Sequence, residues 1–144
     1  MSERAYLPDV NILIALSDPE HAAHHSAAAW HQSIGRVRFF LSPVTEAGFV
    51  RLMTNPLIGG ESISSALLLL REIAALPNVA HLPVAPTWLE LVEPFARRLV
   101  GHRQVTDALL LGLAIRNGAI LVTLDRTVQA LAGEAHAANL LTLA

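Results

Sequence analysis

The sequence contains no cysteine and no lysine among its 144 residues. The absence of cysteine excludes disulfides and thiolate metal sites. Because lysine is also absent, all ten basic side chains are arginines. Aspartate is scarce as well, and only four of the twelve acidic residues are of this type. These four residues are Asp9, Asp18, Asp107 and Asp125.

Long hydrophobic runs are missing too, although 53% of the residues are hydrophobic and the mean hydropathy is +0.46. No run reaches the roughly 18–20 apolar residues needed to cross a bilayer. The N-terminal residues lack the basic region and apolar stretch that are typical of a signal peptide. We therefore expect a cytoplasmic protein with no membrane association. The length predicts one domain, residues 1–144, with a single core.

The net charge of −2 does not indicate nucleic-acid binding through the overall electrostatic field. Any contact with a nucleic acid would have to come from a local group of arginines, aided by metal ions.

Short apolar runs alternate with longer helical patterns along the chain, which predicts βα units around a mainly parallel sheet. Strands are predicted over residues 5–9, 36–41, 78–82, 119–123 and 140–143. Helices are predicted over residues 11–16, 21–33, 43–53, 63–75, 88–100, 107–116 and 127–131. Hydroxyl side chains that precede helical patterns are predicted N-caps. These residues are Ser42, Ser62, Thr87 and Thr106.

Four acidic residues lie where predicted strands end or predicted helices begin. Asp9 ends the first strand and Asp125 follows the strand over 119–123, whereas Glu46 and Asp107 occupy first turns of helices. In open α/β sheets, ligands bind outside the carboxyl ends of the strands. Each position also has an ordinary structural explanation, since acids favour first helical turns and Asp favours turns.

Four carboxylates gathered at one sheet edge would repel one another unless a cation lay between them. Mg²⁺ and Mn²⁺ prefer oxygen ligands of this kind. An ion held in this way activates water and stabilises the charge that develops on a reacting phosphate. The acidic pattern therefore predicts a metal site suited to phosphodiester cleavage.

Four segments resemble, in the same order, the motifs of one nuclease family. They read YLPDVN over 6–11, SPVTEAGFVRL over 42–52, VTDALLL over 105–111 and LVTLDR over 121–126. Each segment is weakly specific alone, but together they span nearly the whole chain. The sequence resembles the PIN-domain ribonucleases, specifically the VapC toxins of bacterial VapBC toxin–antitoxin pairs.

This resemblance implies a three-layer α/β/α fold and Mg²⁺- or Mn²⁺-dependent endonuclease activity on RNA. It also implies a VapB-like antitoxin as partner and a homodimer. By residue, the resemblance implies metal ligation by Asp9, Glu46, Asp107 and Asp125. It further implies that Asn11 orients Asp9 or a metal-bound water, that Thr123 hydrogen-bonds within the site, and that Arg51 and Arg126 contact the substrate phosphate.

Three alternative functions are compatible with parts of the pattern. A receiver-type phosphoryl-transfer domain also gathers Asp around Mg²⁺, but it would need a lysine that this chain lacks. The other two are a PIN-like binding scaffold without turnover and a PIN nuclease that is not a toxin.

Several side chains outside the motifs are expected to have structural or interface roles. The histidines at 21, 24, 25 and 31 are expected to be structural or solvent-exposed, and Trp30 and Trp88 to lie in the core or an interface. The leucine runs Leu67–Leu70 and Leu109–Leu111 are wider than a small core requires, which predicts a surface for dimerisation or antitoxin binding.

Overall fold

The computed structural model describes residues 4–144, which form a five-stranded sheet with parallel pairing throughout. The strands are β1 (Ala5–Pro8), β2 (Arg38–Leu41), β3 (Val79–His81), β4 (Ile120–Thr123) and β5 (Leu140–Thr142). Their order across the sheet is β3-β2-β1-β4-β5. The predicted parallel sheet is confirmed.

Seven α-helices connect and cover the strands in the described residues. They are α1 (Val10–Ser17), α2 (His24–Ile34), α3 (Pro43–Thr54), α4 (Ile63–Ala74), α5 (Trp88–Val92), α6 (Val105–Arg116) and α7 (Val128–Ala132). Short 3-10 turns cover Glu93–Arg98, His102–Gln104 and Ala137–Asn139. Side chains of Ser42, Ser62 and Thr87 cap their helices as predicted. None of the helices within residues 4–144 is long and apolar enough to cross a membrane.

The helix predicted over residues 88–100 is shorter than expected. It ends as an α-helix at Val92 and continues as a 3-10 turn in which Phe95 has non-helical backbone angles. The physical reason is Pro94, because proline has no backbone N–H to donate and its ring clashes with the carbonyl four residues earlier.

The prediction that Thr106 caps a helix beginning at Asp107 is wrong. The helix begins at Val105, directly after the 3-10 turn, and Thr106 lies inside its first turn. Gln104 organises this junction, since its side-chain oxygen accepts hydrogen bonds from the backbone N–H groups of Val100 (2.6 Å) and Gly101 (3.3 Å). Because this helix directly continues a 3-10 turn, its first residues do not need a hydroxyl side chain as a cap.

Two hydrophobic clusters lie on the two faces of the sheet. Adjacent strand residues alternate between them, so Tyr6 packs with α1, α2 and α3, whereas Leu7 packs with α5, α6 and α7. Helix α4 contributes Ala66 to the first of these clusters. The predicted three-layer α/β/α architecture is therefore confirmed.

The leucine run in α6 belongs to the core and not to an exposed surface. Leu110 and Leu111 are completely buried, and Leu109 packs against the same cluster. The expectation that Leu109–Leu111 forms an interface is therefore wrong, because α6 lies between the sheet and α5 and buries most of its circumference. In α4, by contrast, Leu68 is exposed.

The strand order places a topological switch point at the carboxyl ends of β1 and β4. From β1 the chain proceeds to β2 on one side, whereas β4 joins on the other side. Helices that connect strands on opposite sides of such a point diverge and leave room for a ligand. The acidic residues that follow β1 and β4 therefore lie at this topological switch point.

Candidate functional site

Asp9 occupies the junction between β1 and α1. Its backbone N–H donates to the Val122 carbonyl (2.8 Å), which extends the pairing of β1 with β4 by one residue. Its side chain caps α1, with Oδ1 accepting the N–H of Val10 at 2.7 Å. The residue is only 8% exposed. Asp9 is thus both a helix cap and a buried carboxylate held in one orientation.

Asn11 and Thr123 join the exits of the two central strands through a polar bridge. The Thr123 hydroxyl donates to Asp9 Oδ2 at 2.9 Å and accepts from Asn11 Nδ2 at 3.2 Å. Asn11 Nδ2 also lies 3.5 Å from Asp9 Oδ2, and Asn11 Oδ1 accepts the N–H of Leu124 at 3.2 Å. Because Thr123 is completely buried, its hydroxyl is shielded from water and restrains the Asp9 carboxylate.

Asp125 is held in the turn after β4. Its N–H donates to the Thr123 hydroxyl at 3.1 Å. Its Oδ1 accepts from both the N–H (2.9 Å) and the hydroxyl (2.7 Å) of Thr127. The sequence analysis assigned no role in the site to Thr127. The spacing Asp-x-Thr after a strand is the signal that would have found it, since Asp commonly accepts from the backbone two residues later.

Electrostatics link Asp107 to the other two aspartates. Burial, as the largest cause, and the charges of Asp9 and Asp125 together raise the pKa of Asp107 to about 6. Burial also raises the pKa of Asp9, with a further contribution from Asp125, whereas hydrogen bonds from Thr123 and Val10 lower it. The structure therefore brings three of the predicted acids within each other's electrostatic field.

Glu46 lies in the first turn of α3, after β2, and is half-buried. This turn begins with a capping box in which Ser42 and Thr45 satisfy each other's backbone N–H groups. Glu46 is therefore at the same edge of the sheet as the aspartates, one strand away from β1. It is not among the charges that raise the pKa of Asp9 or Asp107.

The two predicted phosphate-binding arginines are exposed. Arg51 lies in the last turn of α3, and Arg126 follows Asp125 directly. Their guanidinium groups are therefore accessible to a ligand, and Arg126 is adjacent in sequence to the site carboxylate of Asp125.

The donor set fits a hard divalent cation by its chemistry. Asp9, Asp107 and Asp125 offer carboxylate oxygens, and their mutual repulsion is the kind that Mg²⁺ or Mn²⁺ relieves. As the side chains stand, no group of three or more His, Asp or Glu residues in the described part of the chain is close enough to hold a metal. Joint ligation would therefore require these side chains to move closer together.

The histidines and tryptophans have the following contacts. His24 Nδ1 lies 2.7 Å from the Ala15 carbonyl oxygen, which ties α2 to α1, and the His31 ring packs edge-on against Phe39. Trp30 belongs to the core. Trp88 is 37% exposed, and its indole N–H donates to the Val105 carbonyl at 3.3 Å. The first two contacts indicate structural roles, and Trp88 lies outside the core.

Comparison with known proteins identifies relatives over most of the chain. A family model described as "PIN domain" matches residues 6–134. Ribonuclease VapC38 of Mycobacterium tuberculosis is 40% identical over 126 residues, which cover 88% of this chain and 89% of VapC38. Ribonuclease VapC39 of the same organism is 36% identical over 122 residues, which cover 83% of this chain and 87% of VapC39.

Solved structures show the same fold. A crystal structure of VapBC2 from Rickettsia felis, bound to a DNA fragment from their promoter, matches with a TM-score of 0.69 at 12% identity. The match covers 97% of this chain and 99% of the chain in that structure. The M. tuberculosis toxin VapC20, which cleaves the sarcin–ricin loop, matches with a TM-score of 0.59 at 18% identity, covering 80% of this chain and 85% of VapC20.

Proposed function

The chain belongs to the PIN-domain family and is related to the ribonucleases named VapC, and from this premise we propose that it is a metal-dependent endoribonuclease and the toxin of a toxin–antitoxin pair. The observation that carries the proposal is the group of three carboxylates, Asp9, Asp107 and Asp125, at the switch point of the sheet. The names of the relatives support RNA as the substrate.

We assign the metal to Asp9, Asp107 and Asp125, with Glu46 as a further ligand, direct or through water. Bound Mg²⁺ or Mn²⁺ supplies an activated water and neutralises charge on the phosphate.

The remaining residues position the ligands and the substrate. Thr123 and Asn11 hold Asp9 by the hydrogen bonds described above, and Thr127 restrains Asp125. Arg51 and Arg126 are proposed to contact the substrate phosphate, because a guanidinium group can donate two parallel hydrogen bonds to it.

We further propose that the protein acts in the cytoplasm and binds two protein partners. A VapB-like antitoxin would inhibit the protein, and the toxin–antitoxin structure from R. felis supports this partner through the shared fold. A second copy of the chain would form a homodimer. Both partners and the RNA substrate would be met in the cytoplasm.

The deciding experiment measures cleavage of structured RNAs, including a sarcin–ricin loop, by protein freed of antitoxin. With Mg²⁺ or Mn²⁺ we expect cleavage that EDTA abolishes and that Asp9→Asn reduces by at least about 100-fold, since the substitution replaces a charged metal ligand by a neutral amide that can still cap α1. Asp18→Asn is the matched control, because the only hydrogen bond that the Asp18 side chain accepts among the described residues is a local one from the N–H of Glu20. Its activity should equal that of the wild type.

Three outcomes would contradict the proposed function in different ways. Cleavage that survives both EDTA and Asp9→Asn would exclude the metal–carboxylate mechanism. A folded wild-type protein that cleaves no RNA with either metal would instead favour a PIN-like binding scaffold. Cleavage of flapped DNA in place of RNA would indicate a PIN nuclease that is not a toxin.

A further inference from the structure

A groove of about 500 Å³ lies at the amino ends of β1, β2 and β3. This edge of the sheet is opposite to the carboxylates, since Arg4 precedes β1 and Asp9 follows it. Arg4, Arg36 and Arg38 line the groove together with backbone and small side chains near Pro77 and Asn78. No carboxylate is among the described residues that line it.

The arginines converge because of the local strand pattern and the strand register. Arg36 and Arg38 flank Val37, which packs against the hydrophobic cluster that contains Phe39. Adjacent residues of a strand project to opposite sides, so Arg38 points away from that cluster, and Arg36 lies in the turn before β2; both side chains are exposed. Pairing of Ala5 with Arg38 brings the start of β1, and therefore Arg4, beside them.

The backbone that carries these arginines is held in place by hydrogen bonds. Asn78 Nδ2 donates to the Val37 carbonyl at 2.9 Å, and the Asn78 carbonyl accepts from the N–H of Phe39 at 3.0 Å. The N–H of Val37 donates to the Ile34 carbonyl at 3.1 Å. The backbone of the groove is thus preorganised, and a ligand would have to order only the arginine side chains on binding.

The charge distribution indicates an anionic ligand with several phosphates. The whole chain carries a net charge of −2, yet three of its ten arginines gather in this one groove. Guanidinium groups match phosphate oxygens in a bidentate geometry, and several of them along a groove suit a chain of phosphates better than a single ion. The groove is also open to solvent, because all three arginines are exposed.

We infer that this groove binds the phosphate backbone of the RNA substrate at a distance from the bond that is cleaved. The inference rests on the proposed ribonuclease function and adds a second contact region to it. Because the five residue steps from Arg4 to Asp9 span about 17 Å, an RNA that reaches both sites must extend beyond the cleaved bond. At about 3.4 Å of rise per nucleotide in one strand, the extension is at least about five nucleotides.

The first test is binding of a fluorescent single-stranded RNA of about twenty nucleotides, measured by anisotropy in EDTA at several salt concentrations. The test variant is Arg36→Gln/Arg38→Gln. The control is Arg71→Gln/Arg116→Gln, which removes two exposed arginines elsewhere. The logarithm of the binding constant falls linearly with the logarithm of the salt concentration. In the test variant this negative slope should become shallower by about 1.4, since each single-strand phosphate contact contributes about 0.7 to its magnitude. The control should keep the wild-type slope.

The second test separates the groove from the catalytic site. With Mg²⁺ or Mn²⁺ present, the test variant should cleave a four-nucleotide substrate like the wild type. On a long substrate it should show a KM raised by about tenfold with unchanged kcat, because only binding outside the reacting bond is lost.

Two results would overturn the inference about the groove, and a third would separate it from the proposed function. Equal salt slopes for the test and control variants would overturn the inference. Competition by poly-glutamate as strong as that by RNA of equal charge would also overturn it, because the groove would then favour an acidic protein segment. If the wild type binds RNA but cleaves none, the proposed function fails, while the salt slopes still decide whether the groove binds phosphates.

Discussion

At the residue scale, burial raises the pKa of both Asp9 and Asp107, but the groups around the two carboxylates differ. Asp9 accepts hydrogen bonds from Val10 and Thr123, which favour its charged form and partly offset burial. For Asp107, burial and the two neighbouring aspartates all disfavour the charged form. Asp107 is therefore the position at which a cation would relieve the most unfavourable charge.

The raised pKa of Asp107 predicts a pH-dependent stability. Between its usual value of 3.8 and about 6, the folded state holds a proton that the unfolded state has released. Stability at this position therefore falls as pH rises through that window and stays low above it. In EDTA at about pH 7.5, Asp107→Asn should be more stable by about 1 kcal/mol, after discounting for solvent screening of this half-exposed group. Thermal unfolding should show a Tm higher by about 3 °C.

The matched control is Asp18→Asn, whose turn lies outside the acidic group. At about pH 4 the gain of Asp107→Asn should be much smaller, since the folded wild type then holds the proton at this position. A variant that is less stable than the wild type at about pH 7.5 would contradict the electrostatic assignment.

At the element scale, the position of Asp107 depends on how closely α6 approaches α5. Gly112 faces the Leu91 carbonyl, and a Cβ at this glycine would overlap that oxygen and the Leu91 backbone. Because Leu110, Leu111 and the residues around them are completely buried, α6 has little freedom to shift away. The absence of a side chain at Gly112 thus permits the helix contact that places Asp107.

Gly112→Ala should therefore lower the free energy of unfolding by about 1–3 kcal/mol, as expected for overpacking. This loss opposes the gain of about 1 kcal/mol that alanine normally gives inside a helix. Urea denaturation measures the effect. Gly101→Ala is the control, because the space around Gly101 is open and its φ of −163° is ordinary extended backbone, so its stability should change by less than about 0.5 kcal/mol. Equal stability of Gly112→Ala and the wild type would show that α5 can move aside.

At the scale of the whole molecule, apolar side chains are exposed in the connection between α3 and α4. Leu57 is 93% exposed and Ile58 is 54% exposed, and Ile63 at the start of α4 is similar. Large exposed apolar residues close together are typical of protein–protein contact surfaces. We therefore propose this connection as the contact of the predicted homodimer.

Size-exclusion chromatography with light scattering should show a dimer for the wild-type protein. Leu57→Asp/Ile58→Asp should weaken dimerisation by at least about tenfold, because two charges would have to be desolvated in the contact. Leu89→Asp is the control, since Leu89 is 74% exposed on α5 and lies far along the chain from this connection. A wild type that is strictly monomeric at all concentrations would contradict the dimer.

Much of the architecture and the candidate acids could be predicted from the sequence because the signals are local. Apolar runs indicated each strand, and Ser42, Ser62 and Thr87 marked helix starts through contacts within one turn. Asp9 was found as the last residue of a predicted strand and Asp125 as a residue that follows one. Local signals failed where a neighbouring element decided the outcome: Thr106 lies inside a helix that grows out of a turn, and the apolar run at Leu109–Leu111 is enclosed by the sheet and α5.

The sequence determined which residues belong to the acidic cluster, and the tertiary structure determined how they are arranged. Pairing of β1 with β4 joins residues more than a hundred positions apart, so that Thr123 can donate to Asp9 and the charges of Asp9 and Asp125 can act on Asp107. The arginine groove arises in the same way, from the pairing of β1 with β2. The sequence specifies which groups can ionise. Their pKa values and shared surfaces depend on burial and on distances between remote segments, which only the folded chain sets.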